Sequence, residues 1–114
     1  MNKHLQILLA LTVLAGCTVW PLGEDPKGKE YRVQANLLVE AIVQYKDRNG
    51  VFPASLAELS PGYIQKLPEV TKHAFFSADK ETLIYSYSPS WPQTGQTSCA
   101  TVIGSGKWGC HGYL

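Results

Sequence analysis

The chain has 114 residues, 45% of them apolar, and a formal charge of +1. That length suits one domain, and the composition is that of a globular protein rather than a disordered one. Neither sign of charge forms a block or stripe, which excludes a basic nucleic-acid-binding face and a polybasic lipid-binding patch.

The chain opens with a short basic stretch around Lys3. An apolar run from Leu5 to Gly16 follows, broken only by Gln6 and Thr12. A membrane-spanning helix needs roughly 20 apolar residues, so this run is too short to span. A basic start, a short apolar run and small residues before a processing point are the marks of a secretory signal. The run ends in Leu14-Ala15-Gly16-Cys17, which resembles the bacterial lipobox at all four positions. The resemblance implies that residues 1–16 are removed and that Cys17 becomes a lipidated first residue. The anchor is then the acyl chains. Each buried CH₂ contributes about 0.8 kcal/mol, and two or more chains hold where one is marginal. Thr18 stands where Asp would imply inner-membrane retention in a Gram-negative host. In such a host the expectation is an outer-membrane lipoprotein facing the periplasm.

Residues 17–29 contain Pro21, Gly23, Pro26 and Gly28 among charged residues, and read as a tether to a domain spanning 30–114. Trp20 in this tether suits either the lipid headgroup level or plain solvent. From about Glu30 to Arg48 the pattern is helical. Tyr31, Ala35, Leu38, Ile42 and Tyr45 form one apolar stripe, widened by Leu37 and Ala41. Asn49-Gly50 ends the helix, because Gly tolerates the left-handed conformation found just past a helix end. Ser55 and Glu58 have capping-box spacing ahead of a short helix that turns Leu56 and Leu59 inward. Pro61-Gly62 stops it, and Tyr63, Ile64 and Leu67 are expected to peg the following loop onto the long helix.

Residues 73–78 and 82–88 are rich in aromatic and β-branched side chains, with a polar turn between them. They predict a hairpin with Leu83, Tyr85 and Tyr87 on one face. Residues 99–104 predict a third strand, and 105–110 a turn that returns to Cys110. The fold class expected is therefore α+β, a long N-terminal helix packed on an antiparallel sheet of three to four strands.

Export implies an oxidising compartment. With Cys17 lipidated, Cys99 and Cys110 remain as an even pair. The alternatives are two free thiols or a metal site, and zinc would need further ligands where only His111 lies near. A disulfide is the expectation. Closing a loop of about a dozen residues contributes about 3 kcal/mol in the chain-entropy picture.

The run ANLLVEAIVQYKDRNGVFPASLAELSPGYIQKLP, residues 35–68, resembles the head region of type IV pilins and type II secretion pseudopilins. The matching residues are Tyr45, Asn49, Gly50, Phe52, Pro53, Ser55, Leu56, Leu59, Leu67 and Pro68. The family implies a pilin-like head and a protein partner in a secretion or pilus machine. The chain departs from the family at its start, with a lipobox in place of a prepilin leader and polymerising stalk. It also lacks any Asp or Glu from Pro89 onward, where major pseudopilins carry a calcium loop.

No motif for catalysis stands out. His73 and His111 read as surface histidines, no Ser sits in a nucleophile elbow, and Gly104–Gly109 lacks P-loop spacing. No cofactor, metal or nucleic acid is expected, and the reading is non-enzymatic. Trp91, Trp108 and Tyr113 cluster late in the chain as a candidate binding surface, since large aromatics are enriched at interaction hot spots. Two functions follow. One is a lipid-anchored protein-interaction module of the envelope. The other is an envelope lipoprotein that binds a small ligand or glycan through those aromatics.

Overall fold

Asp25 and Pro26 begin the one long helix of the domain. Pro26 occupies the first helical position, where its missing N–H costs nothing. The Asp25 carboxylate accepts the Gly28 N–H at 3.3 Å and so caps the first turn. In the computed structural model, which describes residues 20–113, this helix (α1) runs Pro26–Asn49. Cys17 and the signal segment lie outside the described residues. The helix starts one turn earlier than its apolar periodicity suggests, so the second half of the expected tether belongs to the domain. At the other end Gly50 adopts φ +78° and its N–H donates to the Lys46 carbonyl at 2.8 Å. This is the left-handed stop expected of Asn49-Gly50.

The buried stripe of α1 is Gly28, Tyr31, Ala35, Leu38, Ala41 and Ile42. Leu37, expected to widen it, instead lies on the outward side and is about half exposed. After α1 the chain packs back as predicted. Pro53, Leu56 and Leu59 are buried, and Tyr63 lies 5.2 Å from the Tyr45 ring. Leu56–Leu59 is a single 3₁₀ turn. Its expected capping box does not form: Glu58 accepts the N–H of Ala54, one residue before the N-cap, at 2.7 Å, and the Ser55 hydroxyl caps nothing. A second 3₁₀ turn, Glu69–His73, drives Val70 into the core, and the Val70 N–H donates to the Gln34 side chain at 2.8 Å.

Four strands follow: β1 (Ala74–Ser77), β2 (Thr82–Tyr87), β3 (Gln96–Val102) and β4 (Gly109–Tyr113). They form an antiparallel meander in the order β1-β2-β3-β4. The domain is α+β, with one long helix against a four-stranded antiparallel sheet. Alternation sets the faces. Phe76, Leu83, Tyr85, Tyr87, Thr97, Cys99 and Thr101 are buried on the inner face, and α1 covers them. Tyr31 of α1 meets Tyr85 and Tyr87 edge-on, with ring centroids 6.4 and 5.7 Å away. Cys99 and Cys110 face each other across β3 and β4 and are bonded.

This sheet is small and its last hairpin is held by that bond. Reduction of Cys99–Cys110 should lower unfolding free energy by about 3 kcal/mol. Urea melts of the oxidised and reduced protein, monitored by tyrosine and tryptophan emission, measure the difference.

Candidate functional site

The residues between Trp20 and Lys29 were expected to be a tether, and the structure gives them a different task. Asp25 is fully buried. One carboxylate oxygen accepts the Tyr87 hydroxyl at 2.5 Å. The other accepts the backbone N–H groups of Ser90, at 2.8 Å, and Gly28. Lys27 N–H donates to the Ser90 hydroxyl at 3.2 Å. One carboxylate therefore joins the start of α1, the end of β2 and the loop that leaves it.

A buried carboxylate must be matched by donors, and here three converge. Burial by itself pushes the Asp25 carboxyl upward. The hydrogen bonds from Tyr87, Ser90 and Gly28 outweigh that and hold it below the ordinary aspartate value. Tyr87 moves the other way: burial first, then the adjoining carboxylate, raise its phenol well above the usual range. Gly28 is needed for this closeness. A Cβ there would meet the Tyr87 hydroxyl and come within 2.7 Å of Asp25 Oδ1. With its acceptors filled and no exposed surface, Asp25 is a structural clasp and not an acid or base for a substrate.

The chain upstream of Asp25 is also docked. Gly23, at φ +82°, lies against the disulfide, and a Cβ there would fall 2.6 Å from Cys110 Sγ. Leu22 packs on the backbone of Gly112 in β4. The Gln93 side chain donates to the Trp20 carbonyl at 2.5 Å.

Arg32 makes a second junction on the same helix. Its Nε donates to the Tyr85 hydroxyl at 3.0 Å, and an Nη contacts Cys110 Sγ at 3.3 Å. Its guanidinium lies 4.8 Å from the Trp108 ring. Trp108 is half-buried, sits 5.3 Å from Tyr85, and its indole N–H donates to Asn36 at 3.1 Å. Arg32, Asn36, Val39, Thr101 and Trp108 line a shallow cleft of about 170 Å³.

The late aromatics do not converge. Trp91 stands exposed on the β2–β3 loop, next to Ser90 of the clasp. Trp108 immediately precedes β4, level with Thr101 near the other end of β3, and five strand steps at ~3.3 Å place its backbone roughly 16 Å from Gln96, where the Trp91 loop enters. Tyr113 pairs with Gln96, at the same end of the sheet as Trp91. His73 precedes β1, stacked 6.0 Å from Tyr31, and His111 is exposed on β4. Three strand spacings of ~4.8 Å lie between those edges, so the two histidines cannot share one ion or proton. Among the described residues no group of three or more His, Cys, Asp or Glu side chains is placed to hold a metal. No helix among them is long and apolar enough to cross a membrane.

The outer face of the sheet carries one further feature. Phe75, Ile84 and Ala100 lie in a single cross-strand row, ending at Gly109. Phe75 and, one row away, Val102 are more than half exposed. Ser86 and Ser98, hydrogen-bonded at 2.6 Å, border the row on the other side.

Sequence reasoning passed over Asp25 and Arg32. Asp-Pro is a helix-start signal in its own right, hidden here by a Pro- and Gly-rich setting. Arg32 gave no signal, since a cation beside an apolar stripe usually faces water. Comparison with known protein families, characterised proteins and solved structures finds no match to this chain.

The clasp makes stability acid-sensitive with a definite sign. A carboxyl whose folded value is depressed stabilises the fold above its unfolded value, near 3.8, and loses that contribution as pH falls. Asp25→Asn should cost on the order of 1–3 kcal/mol at neutral pH, because hydrogen bonds to a charged group are replaced by neutral ones. It should also flatten the loss of stability below about pH 4. Denaturant midpoints of both proteins from pH 3 to 7 measure both effects.

Proposed function

We propose that this chain is a lipid-anchored, non-enzymatic interaction module of the bacterial envelope, a pilin-like head displayed on a membrane through Cys17. The observation that carries the proposal is the Leu14-Ala15-Gly16-Cys17 lipobox placed a few residues ahead of a disulfide-stapled α+β domain. A long helix capped by Asn49-Gly50, followed by an antiparallel meander with a disulfide hairpin at its end, is in keeping with a pilin or pseudopilin head.

The partner surface in this reading is the apolar row Phe75–Ile84–Ala100 on the outer face of the sheet, which α1 leaves uncovered. Exposed contiguous apolar rows bordered by polar groups mark protein-binding sites. The glycan reading needs the late aromatics in one cleft. Trp91 and Trp108 lie at opposite ends of β3, so the protein-interaction reading is favoured.

Two measurements test this. The intact mass of the protein from host membranes should be lower by residues 1–16 and higher by a lipid adduct, and Cys17→Ser should abolish both changes. An unlipidated mature chain refutes the anchor. A photo-reactive phenylalanine at position 75 should give one discrete adduct with a secretion or pilus component in living cells. The same group at Val51, exposed beyond the end of α1, should give none. Equal labelling from both positions refutes the partner surface.

A further inference from the structure

We infer that the end of the domain bearing Trp20, Leu22 and Trp91 is a membrane-contact surface, which seats the head on the bilayer with α1 starting at the lipid. The inference rests on lipidation of Cys17 as proposed above.

The first argument is reach. Only Thr18 and Val19 separate Cys17 from Trp20. Three residue steps extend at most ~11 Å, and the thioether of a lipidated cysteine sits at the headgroup level. Trp20 is therefore held within ~11 Å of the lipid attachment point, at or next to the interfacial region. The segment after it cannot pay out further chain. Trp20 is bonded to Gln93, Leu22 is packed on Gly112, Gly23 lies on the disulfide, and Asp25 is clasped. The surface around Trp20 thus faces the bilayer.

The second argument is chemistry. That surface exposes three large apolar side chains: Trp20 at 38%, Leu22 at 47% and Trp91 at 86%. Trp91 is joined to the same end through its neighbours. Ser90 bonds Asp25 and Lys27, and Gln93 bonds Trp20. An indole that is almost fully exposed on a rigidly bonded loop is out of place in water. Tryptophan is the residue enriched where one end of a side chain is apolar and the other wet, at the membrane–water interface.

The third argument concerns charge. The exposed charges between residues 20 and 30 are Glu24, Lys27, Lys29 and Glu30, which cancel. The contact is therefore apolar and independent of anionic lipid, unlike binding through a basic patch.

The test uses the lipidated protein purified from host membranes, with the adduct verified by mass in the same preparation. It is reconstituted into phosphatidylcholine vesicles whose acyl chains carry bromine near the headgroup. Bromine quenches only tryptophans that touch the interface. Quenching should exceed that of the Trp20→Phe/Trp91→Phe double variant by at least about twofold, because that variant retains only Trp108, at the far end of β3. Each single variant should fall between them, and replacing a third of the lipid by phosphatidylglycerol should change none of these values. Adduct present with quenching equal in all variants overturns the contact surface alone, and leaves the patch to a protein partner or a second copy. Quenching that appears only with anionic lipid overturns its apolar character. A preparation without the adduct overturns the anchor and this orientation together.

Discussion

A single buried carboxylate decides how this domain begins. Asp25 gathers a phenol from β2, a backbone amide from the β2–β3 loop and the first turn of α1. The helix start lies more than 60 residues from the other two in sequence, and most of the remaining helix–sheet interface is apolar, which by itself fixes no register. Hydrogen bonds are directional, and burial makes an unmatched carboxylate costly. The clasp therefore admits one relative position of helix and sheet. Gly28 allows the approach, Pro26 sets the helical start, and Tyr87 lies at the last position of its strand.

Arg32 and the disulfide extend the same logic along the helix. Arg32 is less than two turns beyond Asp25, and it reaches the next inward tyrosine, Tyr85, together with Cys110. Its flat guanidinium also covers part of Trp108, a contact the point charge of lysine would make poorly. Tyr85, Tyr87, Asp25 and Arg32 are thus a polar seam within an apolar interface. A domain of this size buries a small fraction of its surface compared with larger ones. Covalent and hydrogen-bonded staples then matter more to its stability than they would in a larger core.

Much of this fold could be read from the chain. The helix stripe through Leu38 and Ile42, the Gly50 stop, the inward faces of Leu83, Tyr85 and Tyr87, and the pairing of Cys99 with Cys110 follow from periodicity and spacing. What escaped was whatever depends on contacts distant in sequence. Asp25 looked like a tether residue because its partners, Tyr87 and Ser90, are supplied by the sheet. Leu37 looked buried because periodicity gives the direction of a stripe but not how wide a sheet will cover it. Ser55 and Glu58 have capping-box spacing, yet the turn they begin is a 3₁₀ turn of four residues, and the glutamate takes the amide of Ala54 instead of that of Ser55. The late aromatics are close in sequence and apart in space because β3 runs between Trp91 and Trp108.

The clasp also changes what an N-terminal lipid would mean for the domain. A flexible tether of a dozen residues would let the head sample every orientation, and no face could be assigned to the membrane. With the segment from Trp20 onward docked, attachment and orientation become one property. The sheet has two faces and two ends. The inner face is used by α1, and the end carrying Trp20 and Trp91 lies beside the chain's entry. With such an anchor, the outer row of Phe75, Ile84 and Ala100 would stand clear of both the helix and the anchor point, on a surface of fixed direction relative to the bilayer. A partner that is itself fixed in the membrane would meet that surface already oriented. Less rotational freedom would then be lost on docking, so a row of only three apolar side chains can suffice.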